Sequence, residues 1–218
     1  MNAEPKKSRS LEFALGLIIL ICIIVIVLTR IDTRFKEANR EEAFGNLRSF
    51  SLALYSFQDE YGSYPSDSTT TLVNTKNPSH GYDFSGKSSN AAFRQLMATG
   101  ITESEMISYA KIKNSIKPDG NISPGEALKK GEVGFSYISG LSSKCKPSTP
   151  IVLTPLIPGT TRFDPNPFKG KALVLHIDNS VRTYDINKDG HVYDKDGDIL
   201  SPNHPIWNGK TPTIHYPE

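Results

Sequence analysis

Phe13-Ala-Leu-Gly-Leu-Ile-Ile-Leu-Ile-Cys-Ile-Ile-Val-Ile-Val-Leu28 is sixteen residues without a charge or a strongly hydrogen-bonding side chain. With Leu11 the stretch covers eighteen positions, and Glu12 is its one charged residue. At about 1.5 Å rise per residue, a helix of that length approaches the hydrocarbon thickness of a bilayer. The segment therefore reads as a membrane span. A signal peptide is the rival, because Lys6, Lys7 and Arg9 form a basic start. Its apolar core, however, runs only about 7–15 residues and ends in a small-x-small cleavage site, where this chain has Thr29-Arg30-Ile31-Asp32. The basic residues before the span are balanced by Arg30, Arg34 and Lys36 just after it. Residues 1–10 hold one acid against three bases, which places the amino terminus inside and exports the rest.

Carboxy-terminal to the span the helical period continues. Leu47, Phe50, Leu54, Phe57 and Tyr61 recur at steps of three and four, while Glu41, Glu42, Arg48, Asp59 and Glu60 fall on other faces. One helix from Leu11 to Tyr61 would be about 75 Å long, with its first part in lipid or against other helices and its second part covering a folded domain. An anchor and a separate amphipathic helix broken around Thr29–Asp32 is the alternative. Gly62 is the expected stop, and Pro65 prevents resumption. Fourteen of the fifteen prolines lie at or beyond Pro65 and none lies within residues 6–64, so the chain is two unlike regions. The reading divides it into a basic leader (1–10), a transmembrane segment (11–30), the continuing helix (31–64), an exported domain with an antiparallel sheet (65–200) and a proline-rich strap (201–218). The fold class is α+β.

These residues carry a resemblance. A short basic leader, a glutamate near the start of an apolar span, then Ala43, Asn46-Leu47-Arg48, Leu54, Tyr55 and Asp59-Glu60-Tyr61-Gly62-Ser63-Tyr64-Pro65 resemble the type IV pilin and type II secretion pseudopilin superfamily. The resemblance covers residues 6–65, with Tyr-Gly-x-Tyr-Pro its most specific part. It implies a pilin-like fold, a long amino-terminal helix packed on a small antiparallel sheet; the expectation that the chain is not an enzyme rests instead on the lack of a catalytic motif, and an exported enzyme is the third, motif-less alternative. The resemblance also implies assembly with copies of itself or other pilin-like subunits, in the inner membrane or a cell-surface filament. Glu12 then corresponds to the family's membrane glutamate, which pairs with a neighbour's amino terminus and sets the assembly register. The alternative places Glu12 at the cytoplasmic interface, where it needs no partner. Ser8-Arg9-Ser10-Leu11-Glu12 lacks the glycine and phenylalanine of the family's processing signature.

In the exported region, residues 66–90 are rich in Ser, Thr, Asn and Gly and read as a surface loop. Asn90 is the expected cap of a helix whose apolar face is Phe93, Leu96 and Met97 and whose stop is Gly100. Thr102-Glu-Ser-Glu105 has capping-box spacing for a second short helix through Tyr109. Strand character follows in Val133–Ile138, Ile151–Ile157, Ala172–Ile177 and Val181–Tyr184, with Asp178-Asn179 as the turn joining the last two. One face of that sheet should be covered by the long helix. The final segment 201–218, with four prolines, is expected to form no regular element and to dock through Ile206 and Trp207.

The strongest chemical signal is Asp185-Ile-Asn187-Lys-Asp189-Gly190-His191-Val192-Tyr193-Asp194-Lys-Asp196. Counted as a calcium loop, it places side-chain oxygens of Asp185, Asn187, Asp189 and Asp196 at positions 1, 3, 5 and 12. Glycine falls at position 6, and the His191 carbonyl at position 7. Calcium takes six to eight hard oxygens, which such alternation around a tight turn brings to one centre. Position 12 is Asp rather than Glu, which shortens its reach. The alternative is a turn whose Asp and Asn side chains cap their own backbone. Val192 should tie the loop to the core, with Asp198 a spare acid nearby.

A formal charge of +2 spread over 218 residues leaves no nucleic-acid footprint, and Cys22 and Cys145 are too far apart to pair. The five histidines lack zinc spacing, and no phosphate loop or nucleophile elbow occurs. His176 reads as an alternating strand residue before a turn. The leading expectation is a filament or pseudopilus subunit with a calcium-stabilised exported head, and the alternative is a permanently anchored extracytoplasmic binding module that does not polymerise.

Overall fold

The computed structural model describes residues 8–218; Lys6, Lys7 and the rest of residues 1–7 lie outside it. Helix α1 is a single element, Ser8–Tyr61, of 54 residues. It continues through Thr29–Asp32, where the Thr29 hydroxyl donates back to the Val25 carbonyl at 2.8 Å. The break considered from sequence is therefore absent. The helix ends where expected. Gly62 takes φ +76°, a left-handed conformation open to glycine, and its N–H donates to the Gln58 carbonyl.

The stripe of Leu47, Phe50, Leu54, Phe57 and Tyr61 is buried along its whole length, whereas Glu41, Glu42, Arg48, Asp59 and Glu60 are exposed. Each such apolar side chain contributes about 1.5–3 kcal/mol of transfer free energy. The stripe faces a five-stranded antiparallel sheet. Its strands are β1 (Ser136–Ile138), β2 (Pro150–Thr154), β3 (Lys171–His176), β4 (Val181–Asp185) and β7 (Ile214–His215), in the order β4-β3-β2-β1-β7. A two-stranded hairpin, β5 (Tyr193–Asp194) with β6 (Gly197–Asp198), stands apart.

Both faces of the sheet are covered. Tyr137, Val152, Leu173 and Leu175 point to a core shared with α1. Their neighbours Ile138, Leu153, Ala172 and Val174 point to a second core completed by Phe163, Val192, Ile199, Leu200 and Trp207. The sequence reading covered one face only. Two-sided burial explains why β3 is a nearly unbroken apolar run rather than an alternating one. His176 closes β3 just before the turn, as read, but the strand does not alternate, and the ring is buried with Nδ1 2.7 Å from the Ser148 carbonyl and Nε2 3.1 Å from the Tyr184 hydroxyl. The Asp178-Asn179 turn forms as read, with Asn179 at φ +62° and the Asp178 carboxylate accepting from the Ser180 N–H.

Three local readings are corrected. Residues 66–90 are not all loop, because α2 spans Asp67–Lys76. Its threonines favour strands by propensity. The helix holds because the Ser66 N–H donates to Thr69 Oγ1, Thr69 Oγ1 donates to Gln95 Oε1, and Val73 enters the core. Helix α3 spans Ser89–Ala98 and is capped by Ser88, not Asn90. Asn90 is buried and bonds the Leu128 and Lys129 carbonyls and the Glu218 N–H. The short helix after Thr102 is a single 3₁₀ turn, Glu105–Ser108, with Glu105 directed inward.

The strap docks through Trp207, whose Nε1–H donates to the Ile199 carbonyl at 2.8 Å. It departs from expectation in supplying β7, which pairs with β1 through Tyr137↔His215 and Ile138↔Ile214.

The direction of the strands relative to α1 is fixed by contacts at both ends. The Tyr137 hydroxyl donates to the Pro65 carbonyl, and the Ser63 hydroxyl to the Leu141 carbonyl, at the far end of α1. Lys169, just before β3, pairs with Glu37 at 2.9 Å, nearer the apolar segment.

Candidate functional site

Helix α1 presents two kinds of surface. From Leu11 to Leu28 every large apolar side chain is exposed, on all sides of the helix. Glu12 lies exposed at the start of this segment, and Cys22 is a free thiol within it. The helix is long and apolar enough to cross a membrane, and none of its most apolar window is buried. Beside the head, one face of α1 stays uncovered. It carries Gly45, Ser49, Leu52, Tyr55 and Ser56, with Leu52 67% and Tyr55 52% exposed. Phe35, 66% exposed, lies between the apolar segment and the head.

The acidic loop sits at the end of β4. Asp185 closes that strand opposite Lys171 and is held by its ammonium group at 2.5 Å. Asn187 Oδ1 accepts the N–H groups of Asp189 (3.0 Å) and His191 (2.8 Å), so it caps its own turn. Asp189 is exposed, and Gly190 packs against Arg162 and Phe163 at φ +84°. Val192 is buried, as its position in the loop suggested. Asp196 lies on the turn of the β5–β6 hairpin.

Two histidine–aspartate pairs organise this region. His191 Nδ1 is 2.7 Å from Asp198 Oδ2, and His204 Nε2 is 2.9 Å from Asp194 Oδ1. The Ile206 N–H approaches the other ring nitrogen, His204 Nδ1, at 3.4 Å. Burial alone would raise the Asp194 carboxyl. The bonds from His204 and from the Asp196 N–H outweigh it and hold the group below the usual carboxylate range. Asp194, Asp196 and His204 bring ligand atoms within 4.8 Å of one another. Of the residues read as calcium ligands, this group contains Asp196 alone. The pairing of Asp194 with His204 was not read, because a ten-residue separation across a turn leaves no motif, and Asp198, read as a spare acid near the loop, pairs with His191.

A second acidic group, Glu105, Asp119 and Glu132, also lies within 4.8 Å. Glu105 Oε1 accepts the Leu128 N–H at 2.7 Å and Oε2 the Gly120 N–H at 2.9 Å, while Glu132 accepts the Lys129 N–H at 2.6 Å. Burial pushes the Glu105 carboxyl up, against its two N–H donors and with added repulsion from Glu132. The Lys129 ammonium already lies against Asp119 (3.0 Å) and Glu126 (2.6 Å). These carboxylates act as staples for the irregular segment 117–132.

No protein-family model matches the chain, and no curated protein or solved structure gives a significant match.

Proposed function

We propose that the chain is a structural subunit of a pilus or type II secretion-like pseudopilus, assembling through α1 with further copies or with other pilin-like subunits. One observation carries this reading. Helix α1 is uninterrupted, offers apolar side chains in every direction along its first half, and keeps an exposed face of Leu52, Tyr55 and small residues beside the head. Small residues let helices approach closely, and exposed apolar ones gain from burial against a neighbour. Glu12 sets the register in this proposal, and calcium at the Asp185–Asp196 loop stabilises the head. The same architecture serves a permanently anchored binding module, a reading supported by the leader's lack of the processing glycine.

Cross-linking of the full chain in cell membranes, followed by shearing and fractionation, separates the two. Recovery as a ladder of oligomers supports the subunit reading, and a membrane-retained monomer refutes it in favour of the anchored module. Glu12→Ala is expected to lower the oligomer yield with the melting temperature of the head unchanged; an unchanged yield removes the register role.

A further inference from the structure

At the end of the head remote from the apolar segment, the loop after β1 and the carboxy-terminal strap enclose a cleft of about 430 Å³. Its position follows from the Ser63–Leu141 bond, since Leu141 lines the cleft and Ser63 lies just past the end of α1. From Leu28 to Tyr61 the helix rises about 50 Å, so the cleft is carried far from any bilayer the span crosses.

Three lysines line it, Lys144 and Lys146 from the loop and Lys210 from the strap, and among the described residues no carboxylate does. Three like charges around one cleft repel each other and focus a positive potential into it. Only Lys146 has a fixed position, donating to the Pro205 carbonyl at 3.2 Å. The remaining polar lining is the Cys145 thiol, the buried Thr149, and Ser139, Thr211, Thr213 and Asn208, the last three exposed. The floor is apolar, from Leu141, Ile206 and Trp207. By contrast, the other cleft of about 430 Å³, beside Ile116 and Ile157, sets Lys113 and Lys130 against Asp164 and Glu218 and carries no net sign.

We infer that the lysine cleft is a binding site for an acidic sugar, its carboxylates held by Lys144 and Lys210 and its hydroxyls by the Ser, Thr and Asn side chains. Nucleic acid fits less well. No arginine lines the cleft to grip phosphate bidentately, and Trp207 is too buried to stack a base. A uronic acid matches the donor set, with one carboxylate and several hydroxyls on each ring and apolar C–H faces to lie against the partly exposed Leu141 and Ile206.

Trp207 is the single tryptophan of the chain, so its fluorescence reports on the cleft directly. The test titrates the full-length protein in detergent micelles with trigalacturonate, with neutral galactotriose and inorganic phosphate as separate arms. Equilibrium dialysis with labelled trigalacturonate detects binding that leaves the fluorescence unchanged. Saturable binding of trigalacturonate alone is expected, weakening as salt is raised. Lys144→Gln with Lys210→Gln should weaken it about five- to tenfold, and both side chains are exposed, so the fold is retained. Absence of saturable binding overturns the inference. So does equal binding of galactotriose, which removes the role of the lysines, or equal binding of phosphate, which reduces the cleft to a simple anion site. None of these outcomes depends on whether α1 polymerises.

Discussion

Phe50 and Leu52 are two residues apart on α1 and do opposite work. Phe50 is 1% exposed, with its ring centroid 4.4 Å from that of Phe93 and 6.2 Å from that of Phe135, so it joins the helix to α3 and to the chain entering β1. Phe50→Ala removes that ring and leaves a cavity, at a cost of about 3–5 kcal/mol. For a protein of this size, each kcal/mol lowers the melting temperature by about 2–4 °C, giving a loss of about 6–20 °C. Leu52 is 67% exposed. Leu52→Ala should change folding stability by no more than about 0.5 kcal/mol. If a neighbouring subunit covers it, burial of two-thirds of a leucine is worth about 1–2 kcal/mol, a roughly five- to thirtyfold change in the association constant. The assay pairs near-ultraviolet circular dichroism melting of the full chain in micelles with cross-linked oligomer yield in membranes. Phe50→Ala should move the first, and Leu52→Ala the second. A melting shift below about 3 °C for Phe50→Ala would refute the placement of α1 as a wall of the core. Unchanged oligomer yield for Leu52→Ala would refute the outer face as an assembly surface.

Millimolar calcium, compared with a chelator, should raise stability by about 0.4–1.4 kcal/mol if the Asp185–Asp196 loop binds with the affinity common to extracellular modules; no melting shift, or one that survives Asp189→Asn, removes calcium from that loop. Burial holds His176 and His215 below their ordinary value of 6.5. The unfolded chain therefore takes up protons first, and stability should fall as pH drops below that value. The slope should be shallower in His176→Gln, and a slope identical to wild type shows that the ring is not responsible. A Cβ on Gly134 would overlap the backbone of Ala110, so Gly134→Ala should cost about 1–3 kcal/mol in a thermal melt, and a neutral result would show that the 108–110 segment yields freely.

What sequence makes legible here follows the range of the interactions involved. Helix α1 could be read because its signals are local: an unbroken apolar run, a 3.6-residue stripe and a glycine stop. The hairpin at Asp178-Asn179 was readable for the same reason. Helix α2 was not, since its threonines argue against a helix and its support comes from Gln95, 26 residues from Thr69. Strand β7 is two residues long and exists because β1 offers it an edge. The acidic loop shows the limit most plainly. Its spacing was visible, but the Lys171 partner of Asp185 and the Asp198 partner of His191 are set by strand register and a second hairpin. In the lysine cleft, Lys144 and Lys146 are close in sequence, whereas Lys210 is brought in only by the docking of the strap.

Because α1 passes from its apolar half into the head without a break, and the head grips it along Leu47–Tyr61, the two halves turn as one shaft. Sliding one such helix past a neighbour by a single residue advances it about 1.5 Å and, to restore the same facing side chains, rotates it by about 100°. The head must follow that rotation in full. In the proposed assembly, the side-chain register chosen among apolar residues near Glu12 would therefore set the compass bearing of a lysine-lined cleft tens of ångströms away.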